Sequence, residues 1–339
     1  MPTNTPRRWL TAGLAAAALV LAGCSGNGSS ASTSVPRTAS TTARSGSPTT
    51  TPKAPTSSTP THTARDPLTG RARNDNPVIA VKLENTAAAM PQFGLSAADL
   101  VFVEEVEGSL TRLMPIYQST FPRRVEPVRS VRSTDIDLLP MFGKPLLVYS
   151  GVAPQVRSKL RKAPIRVDSA GSRDPGRPAP HNLYFNLATL SKRHGLSTSR
   201  DIGLRFGPAD SATPAGPQTH FTVRVGGDRF SFSYQGSHYR PSWNGRPYTD
   251  SGAGGKRVTT RNVLVLKTRT VSDGYKDPAG TPVYKTLSVG TGSLTLYRDG
   301  RRWSGSWRRG ASNKPFILRD SRGAQLRLAP GRTWILLES

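Results

Sequence analysis

The 339-residue chain has a single cysteine, Cys24, and 21 acidic residues against 47 Lys and Arg. One cysteine excludes a disulfide framework and a cysteine-rich zinc or iron–sulfur site. Three enzyme signatures are also absent: the His-Glu-x-x-His metal motif, the Gly-x-Ser-x-Gly elbow and the Walker A loop. We therefore expect no metal site and no cofactor, and the common hydrolase and nucleotide-binding classes are disfavoured.

The amino terminus has the features of an export signal. Arg7 and Arg8 precede an apolar stretch that ends at Ala22, shorter than the roughly 20 residues of a bilayer-spanning helix. The sequence Leu-Ala-Gly before Cys24 resembles the lipobox of bacterial lipoproteins. The resemblance implies a signal peptide over residues 1–23, a lipid such as palmitate on Cys24, and attachment to the outer face of the cell membrane. General secretory and twin-arginine export both remain open.

A stalk is predicted for residues 24–75. Ser, Thr and Pro make up 26 of the 40 residues from Ser25 to Ala64, and no apolar periodicity interrupts them. Such a segment has too little apolar surface to form a core, so we predict that it is disordered and serves as a spacer.

The remaining chain divides by charge into two predicted modules. Residues 76–190 contain 14 basic and 10 acidic residues, whereas residues 191–339 contain 25 and 9. A Pro-, Gly- and Ala-rich segment at 207–217 is the predicted linker, which gives an N-terminal module at 76–206 and a basic module at 218–339. A basic surface outside the cell is expected to contact anionic cell-wall polymers or lipid headgroups, and no nucleic acid is expected.

Hydrophobic periodicity predicts an α+β protein, with an α/β module followed by a β-rich sandwich or partly closed barrel. In the first module it predicts strands at 78–84, 100–107, 111–118 and 145–150, and helices at 134–141, 154–162 and 186–194. In the second it predicts strands at 221–225, 230–234, 263–267, 284–289, 294–298, 316–319 and 334–337.

Several short motifs resemble those of the YerB-like bacterial lipoproteins, which are built from the N- and C-terminal parts of a domain of unknown function. The matching segments are Pro91-Gln92-Phe93-Gly94-Leu95, Pro127-Val128-Arg129-Ser130-Val131-Arg132, Ala179-Pro180-His181-Asn182-Leu183-Tyr184, Gly305-Ser306-Trp307 and Pro330-Gly331-Arg332-Thr333-Trp334. The resemblance covers about residues 76–339. It implies a two-part surface lipoprotein and transfers no activity.

Candidate site residues cluster after the strand that begins at Leu100. Both faces of this strand start apolar and become acidic toward its carboxyl end, where ligands bind in open α/β sheets. Glu105 and Glu107 are expected to point the same way, roughly 7 Å apart. The predicted cleft comprises these two residues with Arg112, Arg129, Arg132, Asp135, Asp137, His181 and Asn182. The alternative is that the Glu and Arg side chains pair with each other and only fix the loops.

Two tryptophans raise the question of a carbohydrate platform. With Asp299-Gly300 as a two-residue hairpin turn, Leu296 lies opposite Trp303, and Trp307 lies on the same side. That face is apolar, so we interpret both tryptophans as packing residues.

These observations favour a cell-surface lipoprotein that binds a ligand or partner in the envelope without catalysis. The alternative is an envelope hydrolase or carbohydrate-active enzyme that uses Glu105 or Glu107 with His181. A structural assembly factor is a third possibility. Closely spaced carboxylates in an open groove would favour an enzyme, and carboxylates capped by arginine would disfavour it.

Overall fold

A computed structural model describes residues 65–209 and 216–339. The predicted signal peptide, the predicted lipidation site Cys24 and the predicted stalk as far as residue 64 lie outside the described residues, as does most of the predicted linker.

The described chain consists mainly of short strands with three α-helices. The helices are α1 (Ser133–Leu138), α2 (Pro154–Lys162) and α3 (Leu187–Leu190). The strands of residues 65–209 are β1 (Ile79–Val81), β2 (Leu83–Asn85), β3 (Leu100–Glu105), β4 (Thr111–Tyr117), β5 (Leu146–Val148), β6 (Arg166–Asp168), β7 (Ser172–Arg173) and β8 (Leu183–Tyr184). Those of residues 216–339 are β9 (His220–Val225), β10 (Asp228–Gln235), β11 (His238–Trp243), β12 (Arg246–Pro247), β13 (Thr249–Asp250), β14 (Lys256–Arg257), β15 (Asn262–Lys267), β16 (Thr270–Lys276), β17 (Pro282–Thr286), β18 (Gly290–Arg298), β19 (Arg301–Arg309), β20 (Ile317–Asp320) and β21 (Thr333–Glu338).

One large mixed sheet runs through both halves of the chain. Its order is β20-β19-β18-β15-β21-β3-β4-β1-β5-β6, with β2 paired to β4. The carboxyl-terminal strand β21 is parallel to β15 on one side and to β3 on the other. Strand β21 therefore hydrogen-bonds to both halves at once.

Each face of the large sheet is covered by a different layer. Helices α1 and α2 pack on one face, where Phe102 and Ile335 belong to the same core as Leu160. The small sheet, in the order β12-β11-β10-β9, packs on the other face, where the rings of Phe232 and Trp334 lie 5.9 Å apart. The predicted α+β class with a β-rich carboxyl-terminal part is confirmed.

The helix predictions differ in how closely the bounds agree. Helix α2 spans the predicted residues, with Pro154 in its first turn. The predicted helix at 134–141 is α1 followed by a 3₁₀ turn that contains Pro140. The third helix is shorter than predicted, but Asn186 caps it as expected by accepting a hydrogen bond from the Thr189 backbone N–H at 3.2 Å.

The predicted hairpin register of the tryptophans is confirmed. Leu296 pairs with Trp303 and Leu294 with Gly305 across β18 and β19. Trp303 is 5% exposed and Trp307 is 2% exposed, so both pack in the core. A carbohydrate platform on this face is therefore excluded for these two side chains.

Candidate functional site

A row of charged side chains crosses β2, β4 and β3 on the helix-covered face of the large sheet. The strand register places Glu84 beside Arg112 and Arg112 beside Glu104. All three are buried, at 1%, 5% and 0% exposure. Burial lowers the pKa of Arg112 to about 10, although the neighbouring Glu84 carboxylate opposes the shift.

Lys82 extends this row into a fully buried ion triad. Its Nζ lies 2.8 Å from Asp135 Oδ1 and also contacts the carboxylate of Glu104. Burial lowers the pKa of Lys82 to about 8, and Asp135 opposes the shift. The other oxygen of Asp135 accepts a hydrogen bond from the Arg132 backbone N–H at 2.7 Å, which fixes the start of α1.

Glu107 and Arg132 form the second ion pair of the site. Arg132 donates from both Nε, at 2.8 Å, and Nη2 to the two oxygens of Glu107. Burial alone would raise the pKa of Glu107, but the hydrogen bonds and charge of Arg132 outweigh it and hold the pKa at about 2. Glu107 is therefore ionised at neutral pH and unsuited to donate a proton.

The carboxylate of Glu84 lies close to three predicted site residues, Arg112, Arg129 and His181. His181 Nδ1 lies 2.8 Å from Glu84 Oε2, and Arg129 Nε lies 3.8 Å from Glu84 Oε1. Arg129 also donates to the Pro180 carbonyl oxygen at 3.4 Å, which connects the two loops. Arg112, Arg129 and His181 are thus held around one buried acid.

Three predicted residues lie elsewhere. Glu105 is on the opposite side of β3 from Glu104 and accepts a hydrogen bond from Ser339 Oγ at 3.2 Å. Asn182 accepts from Arg173 Nη1 at 2.7 Å. Asp137 pairs with two lysines at 2.8 and 2.9 Å, Lys159 and Lys285.

The expected parallel orientation of Glu105 and Glu107 is wrong. Strand β3 ends at Glu105, and Glu107 belongs to a 3₁₀ turn in which Gly108 has a φ of +65°. This turn breaks the alternation of side chains, so Glu107 joins the helix-covered face while Glu105 does not. A glycine in the segment Glu107-Gly108-Ser109 was the available signal for the break.

The sequence interpretation missed Lys82, Glu84 and Glu104 as members of the network. The signal was available, because the predicted strand at 78–84 starts with apolar residues and ends with Lys82 and Glu84 on one face, and Glu104 follows the apolar start of β3. Glu84, Glu104, Glu107 and Asp135 are paired with cations, as the alternative of mutual Glu–Arg pairing expects, whereas Glu105 accepts a hydrogen bond from Ser339. A ligand-binding role for the predicted residues stays a prediction.

A cavity of about 410 Å³ adjoins the Glu107–Arg132 pair. Arg132 and the start of α2 at Pro154 line one side, and Tyr275 and Lys276 of β16 line the other. The Tyr275 hydroxyl is buried and has no hydrogen-bond partner among the described residues. Residues 65–209 and 216–339 contain no group of three or more His, Cys, Asp and Glu side chains that could hold a metal ion.

Two comparisons of the sequence with known proteins each cover most of the chain. The family described as "Protein of unknown function (DUF3048)" matches residues 63–200 with its N-terminal domain and residues 220–335 with its C-terminal domain. The chain belongs to this family. A protein of Bacillus subtilis (strain 168) named "Putative lipoprotein YerB" is 27% identical over 274 residues, which cover 76% of this chain and 80% of that protein.

The crystal structure of the YerB protein from Bacillus subtilis has the same fold. It matches with a TM-score of 0.66 at 24% identity, over 81% of this chain and 96% of that chain. The resemblance inferred from the sequence motifs is thereby confirmed. In the described part of this DUF3048 protein, no helix is long and apolar enough to span a bilayer.

Proposed function

We propose that this protein is a lipoprotein held at the outer face of the cell membrane through Cys24, and that it binds an acidic small molecule without transforming it. The lipobox-like sequence before Cys24 and the name of the Bacillus relative support the anchor. The excess of basic residues after residue 190 supports a second contact, with anionic polymers of the envelope.

The cavity beside Arg132 is the observation that carries the binding role. Its volume of about 410 Å³ lies within the range of small-molecule sites. Its walls combine apolar side chains such as Val152 and Val283 with Lys276, which is the cation for a ligand because Arg132 is already paired with Glu107. The one acid in the wall, Asp277, turns Oδ1 toward its own loop, where it accepts from the backbone N–H groups of residues 279 and 281. An acidic group with an apolar body suits this lining.

The pairing of the carboxylates argues against the enzyme alternative. A glycosidase needs one carboxyl group that donates a proton and a second that is free to act as base or nucleophile. Here Arg132 holds Glu107 ionised, and Glu84 is surrounded by Arg112, Arg129 and His181. Glu84 and Glu107 therefore serve as counter-charges, and Glu105 lies on the opposite side of β3 from His181 and its partner Glu84.

The anchor is tested by replacing Cys24. Native protein expressed in its host should partition into the detergent phase after Triton X-114 extraction, and Cys24→Ala should move it to the aqueous phase. A Cys24→Ala protein that stays in the detergent phase would contradict the anchor.

The cavity is tested with hexanoate as the probe. Hexanoate at millimolar concentration should shift the methyl NMR resonances of Val152 and Val283, and hexanol should do so several-fold more weakly. Lys276→Gln should weaken hexanoate binding, whereas Lys256→Gln on β14 should not. Equal binding of hexanoate and hexanol, or unshifted methyl resonances with both, would exclude an acid-binding cavity.

A further inference from the structure

The outer face of the small sheet carries arginines that have no acidic partner. Arg224 on β9 lies directly opposite Arg229 on β10, and both are exposed. Arg240 is on the same side of β11, and Arg257 Nη2 lies 3.3 Å from the Pro241 carbonyl oxygen of that strand. Within the described residues, none of these four arginines forms an ion pair. We call them the arginine face.

No carboxylate of the small sheet reaches this face. The one acidic residue of strands β9 to β12 is Asp228, which is 6% exposed. Its carboxylate points inward, where it accepts hydrogen bonds from Thr111 Oγ1 and Asn244 Nδ2, both at 2.6 Å. The positive charge of the arginine face is therefore uncompensated within the sheet.

Like charges placed side by side destabilise a sheet unless an external anion lies between them. Directly opposed cations on neighbouring strands repel at a Cβ separation of about 5 Å. Burial and then the nearby charge of Arg240 lower the pKa of Arg257, so these two arginines also repel each other. Binding of an anionic partner would relieve both repulsions.

Hydroxyl groups lie between the arginines. Thr222, Ser231 and Ser242 are neighbours across β9, β10 and β11, and the hydroxyl oxygens of Thr222 and Ser231 are 2.9 Å apart. Arginine forks and Ser or Thr hydroxyls are the side chains that commonly contact phosphate oxygens along a polymer. The outward residues of β9 to β11 include no aliphatic side chain and no Phe, Trp or Tyr, whereas membrane-surface binding usually adds apolar insertion.

We propose that the arginine face binds a polymer of polyols joined by phosphodiesters. The phosphates would lie at the arginines, and the hydroxyl row would bond to the phosphate or polyol oxygens between them. This inference deepens the polymer contact of the proposed function by naming its surface and its chemistry, and it is independent of the cavity beside Arg132.

The test measures binding of purified Cys24→Ala chain to poly(glycerol phosphate) at several salt concentrations. The chain with an unchanged arginine face should bind with an affinity that falls as the salt concentration rises. The double substitution Arg224→Gln with Arg229→Gln should weaken binding about tenfold and make its dependence on salt shallower. Ser231→Ala should weaken it about twofold, since one hydrogen bond is lost.

The matched control is Arg157→Gln with Arg161→Gln on α2, which removes the same charge from two exposed positions. Its affinity should stay within about twofold of that of the chain with all its arginines. An equal loss in this control would overturn the proposal, because binding would then follow net charge alone. Equal affinity for poly-L-glutamate, or higher affinity for phosphatidylglycerol vesicles, would also overturn it. The Cys24 extraction result is unaffected by any of these outcomes.

Discussion

The Glu107–Arg132 pair should make stability depend on pH in the acid range. The folded-state pKa of Glu107 is about 2, below its ordinary value of 4.5, because Arg132 outweighs the effect of burial. A depressed pKa contributes stability that is complete above pH 4.5 and is lost as pH falls toward 2. Lowering the pH from 7 to 3 should therefore remove about 2 kcal/mol through this residue.

Urea unfolding of the native protein and Glu107→Gln at pH 7 and pH 3 measures this contribution. The difference in unfolding free energy between the two proteins should shrink by that amount at the lower pH. Arg132→Gln should cost more than Glu107→Gln at pH 7, because it leaves the buried Glu107 carboxylate without its counter-charge, and part of that loss should be recovered at pH 3 as the carboxyl group is protonated. A difference that is unchanged between pH 7 and pH 3 would contradict the assignment.

Lys82 should be the most sensitive charged residue of the network. It compensates two acids, Glu104 and Asp135, and all three side chains are fully buried. Lys82→Met would leave both acids without their counter-charge and should lower the unfolding free energy by about 3–5 kcal/mol. Adding Glu104→Gln to the variant should restore part of the loss. Urea unfolding at pH 7 checks both values, and a loss below about 1 kcal/mol would contradict the expected role.

The sequence predicted which residues belong to the site better than it predicted which of them pair with each other. The change from apolar to acidic residues along the strand from Leu100 predicted Glu107, and the arginines in the loops and strands that follow predicted Arg112 and Arg132. Which acid faces which base depends on the register between strands, and Glu84 and Arg112 are 28 positions apart but adjacent across β2 and β4. The residues around either position do not show which residue of β4 lies opposite Glu84 of β2.

At the scale of elements, the β18–β19 hairpin shows which part of the fold local patterns determine. Its two-residue turn has positive φ at both positions, +49° at Asp299 and +69° at Gly300, as a type I′ turn requires. The Asp299-Gly300 turn and the alternation of apolar and polar residues on both strands together determined the predicted register, which placed Trp303 in the core. Strand β11 lacked such a signal because Pro241 interrupts its pattern, and it was missed.

Gly305 should be essential for the pairing of β19 with β20. A methyl group at this position would lie 1.9 Å from the backbone oxygen of Arg319 on the neighbouring strand. Gly305→Ala should therefore force the two strands apart and destabilise the protein by about 1–3 kcal/mol. Thermal unfolding followed by circular dichroism measures the effect.

The control is Gly310→Ala, just after β19, where a methyl group would have no heavy atom within 4 Å. We expect a change within about 0.5 kcal/mol at this position. Equal effects of the two substitutions would show that the close approach to Arg319 does not limit the residue at 305.

At the scale of the whole molecule, the two halves that differ in charge share one sheet. Composition indicated two modules, and the family also has an N-terminal and a C-terminal domain. The parallel insertion of β21 between β15 and β3 could not be predicted, because it pairs Trp334 with Val101 over 233 positions and no local pattern reports that contact. The central strand of the fold is thus the last one in the chain.

This arrangement predicts that the two halves unfold together. Leu336 is fully buried on β21, between Val265 of β15 and Val103 of β3. Leu336→Ala should lower the unfolding free energy by about 2–5 kcal/mol. Native-state hydrogen exchange should show the same decrease for amides of β4 in the first half and of β18 in the second, because β3 and β15, which join these strands to β21, lose the support of their shared neighbour. A decrease confined to β15, β18 and β19 would mean that the second half opens alone and that β21 does not couple the halves.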